Sequence, residues 1–324
     1  MKTQKSQISI VIPAHQAAGT LQSCLEAVFA NGIHPNDVLV VDDGSSDATG
    51  AIAKDAGVRV LHNDTALGPA RARNAGVAAV ASGIVLFIDA DVVVRPDVVE
   101  RVLTHFQHPE TTAAIGSYDN APPAHSIVSR YRNLLHFFVH QGAKTEAETF
   151  WTGIGAVRRA QYIKLGGLDH NWENIEDVEF GLRLRAAGGR IKLDPKIQGT
   201  HLKQWTVTSM FRTDLWGRAV PWARLIRDGH TQTGQLNTGN AHRLSALCVA
   251  VFALAVAASI FWSHALWIAV LAILCFLITN ASFLITLYRI GGVSLALGAI
   301  PYHALHYAAA IAGYTYASLF PTRN

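Results

Sequence analysis

Two aspartates, Asp89 and Asp91, directly follow a run of five apolar residues, Ile84–Ile88. Such a run is typical of a strand buried on both faces of an α/β sheet, and ligands bind at the carboxyl edge of such a sheet. In an extended chain, residues two apart point to the same side. Two carboxylates facing one space predict a site for Mg²⁺ or Mn²⁺, which in turn binds a diphosphate. The alternative is an Asp-rich turn that caps a helix expected near Pro96.

A second strand that ends in acids is predicted earlier in the chain. Val38–Val41 runs into Asp42 and Asp43, and Gly44 permits a tight turn there. A second predicted strand therefore ends in acids. From the residues alone, Asp43 fits a turn cap.

Acidic residues also mark the start of a helix predicted over residues 174–188. Glu176 and Asp177 fall in its first turn, and Gly188 lies past its end. The helix macrodipole alone favours acids there, by ~0.3–1 kcal/mol. From position alone, this pair needs no functional explanation.

The elements that must position these residues alternate between strands and helices. Strands and helices of this length, in this alternation, predict an α/β fold with a doubly wound, mostly parallel sheet. The predicted strands are Ile8–Ile12, Val38–Val41, Val58–Leu61 and Ile84–Ile88, and the helices between them run from Gly19 to about Ala30, up to Ala56, and from Gly68 to Ala81. A further short strand is predicted over Arg190–Leu193, ahead of His201.

The last quarter of the chain has the composition of a membrane segment. From Leu244 onward its charged residues are Arg289 and Arg323. Leu244–Trp262 and Ala265–Tyr288 are long enough to cross a bilayer core, which takes ~20 helical residues. A third candidate, Val293–Phe320, is interrupted by Pro301, His303 and His306, so it either spans or lies at the interface.

The basic charge lies beside these apolar runs. Residues 1–200 carry 19 Lys and Arg against 21 Asp and Glu, whereas residues 201–243 carry six against two. This distribution favours anionic lipid over nucleic acid as the partner, and predicts that the N-terminal part is cytoplasmic. No apolar run precedes Ile8, so no signal peptide is expected. The three cysteines offer no disulfide framework, which fits a reducing cytosol.

Two segments have amphipathic patterns. Ser126–Gln141 has apolar residues at helical spacing, which fits either a helix packed on the sheet or a surface that contacts lipid or acceptor. Trp205–Asp228 combines tryptophans with arginines, which is typical of an interfacial helix, here expected to break at Pro221. The alternative is a helix that closes the domain core. We therefore predict three regions: a catalytic domain at 1–202, interfacial helices and a linker at 203–242, and two or three transmembrane helices at 243–324.

Several of these motifs occur together in one known family. In order and spacing, residues 7–202 resemble a membrane-anchored, bacterial-type family 2 glycosyltransferase, which implies the GT-A fold. The matching motifs are the strand ending at Pro13, Val41–Ser45, Gly68–Gly76 with its Ala72-Arg73-Asn74, Asp89-Ala90-Asp91, Trp151–Arg159, and Gly166–Asp169 leading to Glu176-Asp177.

The resemblance implies a nucleotide-sugar site. Asp43 matches the acid that contacts the base or ribose, Arg73 matches the arginine near the nucleotide, and Asp89 is implied at the donor. Pro13 and Ala14 match backbone positions that contact the nucleotide. The chain departs from the family by reading His15-Gln16 after Ala14, where relatives often have an aromatic residue followed by Asn-Glu, so the choice of base stays open.

The resemblance also implies metal-binding and catalytic residues. Asp89 and Asp91 match the pair that binds Mg²⁺ or Mn²⁺, and His201 matches a histidine that completes the metal shell in some GT-A enzymes. A lone histidine is otherwise usually structural. Asp177 matches the general base of inverting relatives, with Glu176 positioning the acceptor or the helix.

The implied reaction is inverting, metal-dependent sugar transfer from a nucleotide-sugar to a membrane-associated acceptor: a polyprenyl phosphate, a lipid or a cell-envelope glycan. For a phosphate acceptor, Arg212 and Arg218 are candidate ligands. One alternative is a processive polysaccharide synthase, although Gln204-Trp205 does not make its Gln-x-x-Arg-Trp motif. A second alternative is a non-catalytic, membrane-anchored binding protein on the same fold. A third is a nucleotidyltransferase, although the chain has no glycine-rich phosphate loop near its N-terminus.

Overall fold

The computed structural model describes residues 7–229 and 239–320. The chain divides into two compact units. The first comprises Met1–Pro123 and His140–Lys203, and the second comprises Ala124–Val139 and Gln204–Asn324. The amphipathic segment predicted from Ser126 is thus grouped mostly with the second unit.

One mixed sheet forms the centre of the first unit. The strands in the described residues are β1 (Ile8–Ala14), β2 (Val38–Asp43), β3 (Arg59–Asn63), β4 (Ile84–Ile88), β5 (Val92–Val94), β6 (Thr111–Tyr118), β7 (Glu146–Ala147), β8 (Ile154–Arg158) and β9 (Arg190–His201). Their order in the sheet is β3-β2-β1-β4-β8-β6-β9-β5, and β7 pairs with β9. The predicted parallel part is confirmed, because β3, β2, β1 and β4 run parallel, whereas β8 is antiparallel to both of its neighbours.

Helices cover both faces of this sheet, because its central strands are apolar on both sides. In β1, Ile10 and Ile12 pack into one apolar core while Val11 packs into the other. In chain order, the helices up to residue 203 are α1 (Leu21–Ala30), α2 (Thr49–Asp55), α3 (Pro69–Ala79), α4 (Val98–Phe106), α5 (Ile127–Gln141), α6 (Arg159–Lys164) and α7 (Glu176–Ala186). Of these, α5 belongs mostly to the second unit.

Two local predictions in this unit were wrong. The short strand expected over Arg190–Leu193 continues to His201, because β9 pairs along its length with β6 and, near its end, with β5. The chain from Asp89 to Asp91 is a turn and not an extended segment, and the Val92 N–H donates to the Asp89 carbonyl at 3.0 Å. The same-side argument for the two aspartates therefore does not hold.

The second unit is helical. The break predicted at Pro221 is not found: the backbone stays helical from Val207 to Arg227, with a π-helical turn at Leu215–Ala219 directly before the proline. The wider turn accommodates Pro221, which has no N–H to donate. The helices are α8 (Val207–Asp214), α9 (Val220–Arg227), α10 (Asn240–Ala258), α11 (Ala265–Thr279) and α12 (Ala281–Leu319). Most of the predicted linker, residues 230–238, lies outside the described residues.

The apolar C-terminal segments are divided differently from the prediction. The second predicted span ends early, at Thr279, and its remainder belongs to α12. Helix α12 continues through Pro301, and its non-helical backbone lies instead at Gly291 and Gly292. In the described residues, α10 and α12 are long and apolar enough to cross a membrane, whereas α11 has 15 residues. Only 17% and 22% of the most apolar 18-residue stretches of α10 and α12 are buried, whereas the core helices of a soluble protein are mostly buried.

Polar side chains within this helical unit are paired with one another. The buried His303 bonds through its two ring nitrogens to the Tyr131 hydroxyl at 3.0 Å and to Asn280 Oδ1 at 2.9 Å. Asp214, also buried, forms an ion pair with Arg132 at 2.7 Å and contacts His306 Nδ1 at 2.9 Å. This pairing explains how polar residues are accommodated among the apolar helices, since an unpaired buried polar group is costly.

Candidate active site

Arg73 connects two candidate acids of the first unit. Its side chain projects from α3, is 7% exposed, and donates from Nη2 to Asp89 Oδ1 at 2.7 Å and from Nη1 to Glu176 Oε1 at 3.0 Å. Asp89 follows β4, and Glu176 is the first residue of α7. The arginine thereby joins the carboxyl edge of the sheet to the start of the acidic helix.

Glu176 is almost fully buried, with a side chain 5% exposed. Burial and the neighbouring Asp177 charge raise the pKa of Glu176 to about 7, although Arg73 opposes the shift. Its Oε2 makes no hydrogen bond within the described part of the chain. A carboxyl group in this state exchanges a proton near neutral pH.

Asp177 accepts hydrogen bonds both from the segment before β8 and from its own helix. Its Oδ2 accepts from the Thr152 backbone N–H at 3.1 Å and from the Thr152 hydroxyl at 3.2 Å, and its Oδ1 accepts from the Val178 N–H at 2.8 Å. Removal from water raises the pKa of Asp177, while the backbone N–H bonds from Thr152 and Val178 and the charge of Arg73 act in the opposite direction. Thr152 was not among the predicted site residues, although it lies in the quoted Trp151–Arg159 motif.

Asp91 and His201 form a second pair. Asp91 Oδ2 lies 3.3 Å from His201 Nε2, because β5 and β9 are antiparallel neighbours and place the two residues side by side. Burial would raise the pKa of Asp91, but its hydrogen bond and charge interaction with His201 lower it overall. The His201 ring stacks on Tyr118, with centroids 4.2 Å apart.

The predicted metal residues are thus divided between two sets of contacts, with Asp91 next to His201 and Asp89 bound to Arg73. Within residues 7–229 and 239–320, no three His, Cys, Asp or Glu side chains form a group that could hold a metal ion by themselves. A carboxylate oxygen and an imidazole nitrogen 3.3 Å apart nevertheless suit Mn²⁺ or Mg²⁺ when a diphosphate supplies further oxygens. The chemistry of the Asp91–His201 donor set therefore fits a divalent ion.

Asp43 lies at the end of β2 and is engaged by the loop that precedes α3. Its Oδ1 accepts from Asn63 Nδ2 at 2.7 Å and from the Leu67 N–H at 2.9 Å, and its Oδ2 accepts from the Gly68 N–H at 2.8 Å. These contacts fix the Leu67–Gly68 turn at the sheet edge. They make Asp43 a loop-anchoring residue whatever else it binds.

Pro13 and Ala14 end β1 beside this loop, opposite Val41 and Asp42. The next residue, His15, bonds through Nδ1 to the Asp43 carbonyl at 2.8 Å. His15, at which the chain departs from the family pattern, therefore links the ends of β1 and β2.

Arg212 and Arg218 belong to the second unit. Arg212 lies on α8 and Arg218 on the π-helical turn, and both side chains are exposed. They are placed on a helical surface where an anion can reach them.

Comparison with known proteins agrees with this architecture. Residues 9–166 match the family model described as glycosyl transferase family 2. This match supports a family 2 glycosyltransferase domain at residues 9–166. One relative, the pre-mycofactocin glycosyltransferase of Mycobacterium tuberculosis strain H37Rv, is 28% identical over 231 residues, which are 67% of this chain and 47% of the relative. The chain therefore spans about half the length of that relative.

Solved structures show that this chain has a GT-A-type fold. The mannosyltransferase PcManGT from Pyrobaculum calidifontis, in complex with GDP-Man and Mn²⁺, superposes with a TM-score of 0.60 at 16% identity, covering 98% of this chain and 88% of that one. Glucosyl-3-phosphoglycerate synthase from Mycobacterium tuberculosis gives a TM-score of 0.51 at 20% identity, covering 72% and 84%. At these identities the similarity is one of fold.

Proposed function

We propose that this family 2 glycosyltransferase moves a sugar, with inversion, from a nucleotide-sugar to an acceptor at a membrane surface. The observation that carries the proposal is the position of the Asp177 carboxylate, which accepts hydrogen bonds from Thr152 and Val178 and follows Glu176, the partner of Arg73, at the start of α7. Burial also raises the pKa of Asp177. A fixed carboxylate with a raised pKa suits a general base.

In the proposed reaction, the acceptor hydroxyl oxygen attacks the anomeric carbon of the donor sugar. Asp177 takes the hydroxyl proton, and the bond between that carbon and the diphosphate oxygen breaks with its electron pair on the leaving diphosphate. Glu176, next to it, positions the acceptor or the start of α7.

The donor diphosphate needs positive charge as it leaves. Asp91 and His201 are the residues that would hold Mn²⁺ or Mg²⁺, with Asp89 beside them, and the bound ion would supply this charge. The mannosyltransferase with the same fold was solved with GDP-Man and Mn²⁺, which supports both ligand classes for this chain. The nucleotide is proposed to bind at the sheet edge formed by Asp43, Pro13 and Ala14, with Arg73 next to it.

The acceptor side is proposed from the second unit. Helices α10 and α12 are candidate membrane spans, and α8 and α9 carry exposed arginines next to them in the sequence. We propose an organisation in which residues 1–202 form a catalytic domain, 203–242 an interfacial region, and 243–324 a membrane anchor in the inner membrane with the catalytic domain cytoplasmic. For a polyprenyl phosphate or other lipid phosphate, Arg212 and Arg218 are the proposed ligands.

The test uses the full chain purified into lipid and a panel of nucleotide-sugars with Mn²⁺. We expect one donor to release free nucleoside diphosphate, and its identity gives the sugar and base. For a hydroxyl acceptor, Asp177→Asn should leave donor affinity near wild type and reduce transfer by ~10²–10⁴-fold. Lost donor affinity in this variant would instead assign Asp177 to the donor site, and no release from any donor would contradict the proposed activity.

A further inference from the structure

Three consecutive residues, Trp151–Gly153, contact several candidate groups of the site. Thr152 donates twice to Asp177 Oδ2, from its N–H at 3.1 Å and its hydroxyl at 3.2 Å. The Gly153 carbonyl accepts the Asp89 N–H at 3.2 Å. One short segment before β8 therefore holds both the acidic helix and the turn after β4.

The same segment reaches the Asp91–His201 pair through two aromatic rings. The Trp151 indole packs edge-on against Tyr118, with centroids 4.9 Å apart and planes at 84°. Tyr118 in turn stacks on His201, with planes at 8°. The position of Trp151 therefore constrains the imidazole that faces Asp91.

Two glycines allow this close packing. A Cβ on Gly181, in α7, would lie 2.0 Å from the Phe150 backbone nitrogen, so α7 can approach the segment only with glycine there. A Cβ on Gly153 would lie 2.3 Å from the Trp151 ring. Such overlaps are not tolerated in close-packed interiors. The approach of α7 is what brings Asp177 within reach of Thr152.

Thr152 is 3% exposed, so its hydroxyl bond to Asp177 is shielded from water. The charged groups that act on Asp177 are Arg73 from α3, Asp89 from the turn after β4, and Glu176 from α7 itself. Two of these three are acids that disfavour the ionised form of Asp177. A hydrogen bond donated to that form favours it.

We propose that Thr152 is a positioning residue that orients Asp177 and keeps its carboxylate ionised, ready to accept a proton. This inference rests on the proposed function for the role of Asp177 as the base. The hydroxyl and the N–H occupy one carboxylate oxygen, which fixes the rotation of the group about its last bond. The sequence motif Trp151-Thr152-Gly153 thereby acquires a chemical role.

The test compares Thr152→Val, which keeps the shape and the backbone N–H but loses the hydroxyl, with Thr152→Ser, which keeps the hydroxyl. In Thr152→Val we expect the acid limb of the pH profile of kcat/KM to move up by about one pH unit, so that transfer below the limb falls about tenfold while the rate at high pH is nearly retained. Thr152→Ser should keep the wild-type profile. Thr111→Val is the matched control, because the buried Thr111 hydroxyl makes no hydrogen bond within the described residues.

A second measurement is independent of turnover. The pKa of Asp177 is read from the pH titration of its carboxyl ¹³C resonance in the full chain, with the signal assigned by its loss in Asp177→Asn. A higher value in Thr152→Val than in wild type and Thr111→Val supports the inference. An equal value, or an equal loss of rate at every pH, overturns it. If wild type transfers no sugar but the resonance still shifts, the proposed function fails and the contact between Thr152 and Asp177 stands.

Discussion

Arg73 and Glu176 are 103 residues apart in the chain, yet their side chains meet at 3.0 Å in the interior of the first unit. The same guanidinium binds Asp89 through its other terminal nitrogen. Since a planar guanidinium presents its donors in a fixed fork, it sets the spacing between the turn after β4 and the start of α7. Arg73 therefore has a structural role that does not depend on nucleotide binding.

Removal of this arginine should destabilise the first unit. We expect Arg73→Ala to lower the free energy of unfolding by about 3–5 kcal/mol, because it leaves buried carboxylate charge without a partner. The matched control is Arg71→Ala on the same helix, which should stay within about 0.5 kcal/mol of wild type since Arg71 is exposed. Denaturant unfolding of the solubilised chain, followed by tryptophan fluorescence, measures both. Equal stability of the two variants would contradict the bridging role.

Glu176 should make stability depend on pH. Its pKa is raised from 4.5 to about 7 in the folded chain, so the folded state holds a proton that the unfolded state releases. Its contribution is fully present below pH 4.5 and is lost as the pH rises through about 7, by up to about 3 kcal/mol.

In Glu176→Gln this loss should disappear, which flattens the stability curve between pH 5 and pH 8. The exposed Glu26→Gln is the control and should keep the wild-type slope. Unfolding free energies measured at several pH values decide the question. A Glu176→Gln curve as steep as that of wild type would show that another group carries the pH dependence.

Removal of the Asp91 carboxylate should abolish the effect of Mn²⁺ on ligand binding but leave the protein folded. We expect nucleoside diphosphate binding to be strengthened by Mn²⁺ in wild type and to be insensitive to Mn²⁺ in Asp91→Ala. Thermal unfolding should change little, because the Asp91 side chain is 30% exposed and paired with a single histidine. Titration calorimetry with and without Mn²⁺ provides the measurement, and the exposed Asp55→Ala is the control. Mn²⁺-stimulated binding retained in Asp91→Ala would exclude Asp91 as a ligand.

Topology decides on which side of the membrane the donor must be. Arg243 precedes most of α10, residues 259–264 connect α10 to α11, and Arg289 lies in α12. With positive charge on the cytoplasmic side, we expect a cysteine at position 264 to react with an impermeant reagent from outside, and residues of the first unit to be protected.

The same experiment with a cysteine added after residue 324 reports whether α12 crosses the membrane. Its 27 residues beyond Gly292 extend about 40 Å as helix, which is enough to span the bilayer core. We therefore expect the C-terminus to be labelled from outside. Protection of position 264 together with outside labelling of the first unit would reverse the topology, and a cytoplasmic donor would then be excluded.

Much of the fold could be predicted from the sequence, because the local spacing of apolar residues indicates strands and helices. The apolar run Ile84–Ile88 is a strand with those bounds, and the alternation of strands and helices correctly predicted the parallel half of the sheet. The same local patterns also predict which carboxylates lie at the ends of strands. Motif order was sufficient to indicate the family that the comparisons support.

Which side chains meet was decided only by the tertiary structure. Asp89 and Asp91 are two residues apart, but a turn directs one to Arg73 and the other to His201, and the partners come from distant elements. The contact between Thr152 and Asp177 depends on how closely α7 packs, which Gly181 permits. Local sequence determines backbone periodicity through short-range sterics and hydrogen bonds. The distance between elements is set by packing over the whole core, and this distance selects the partner of each charged group.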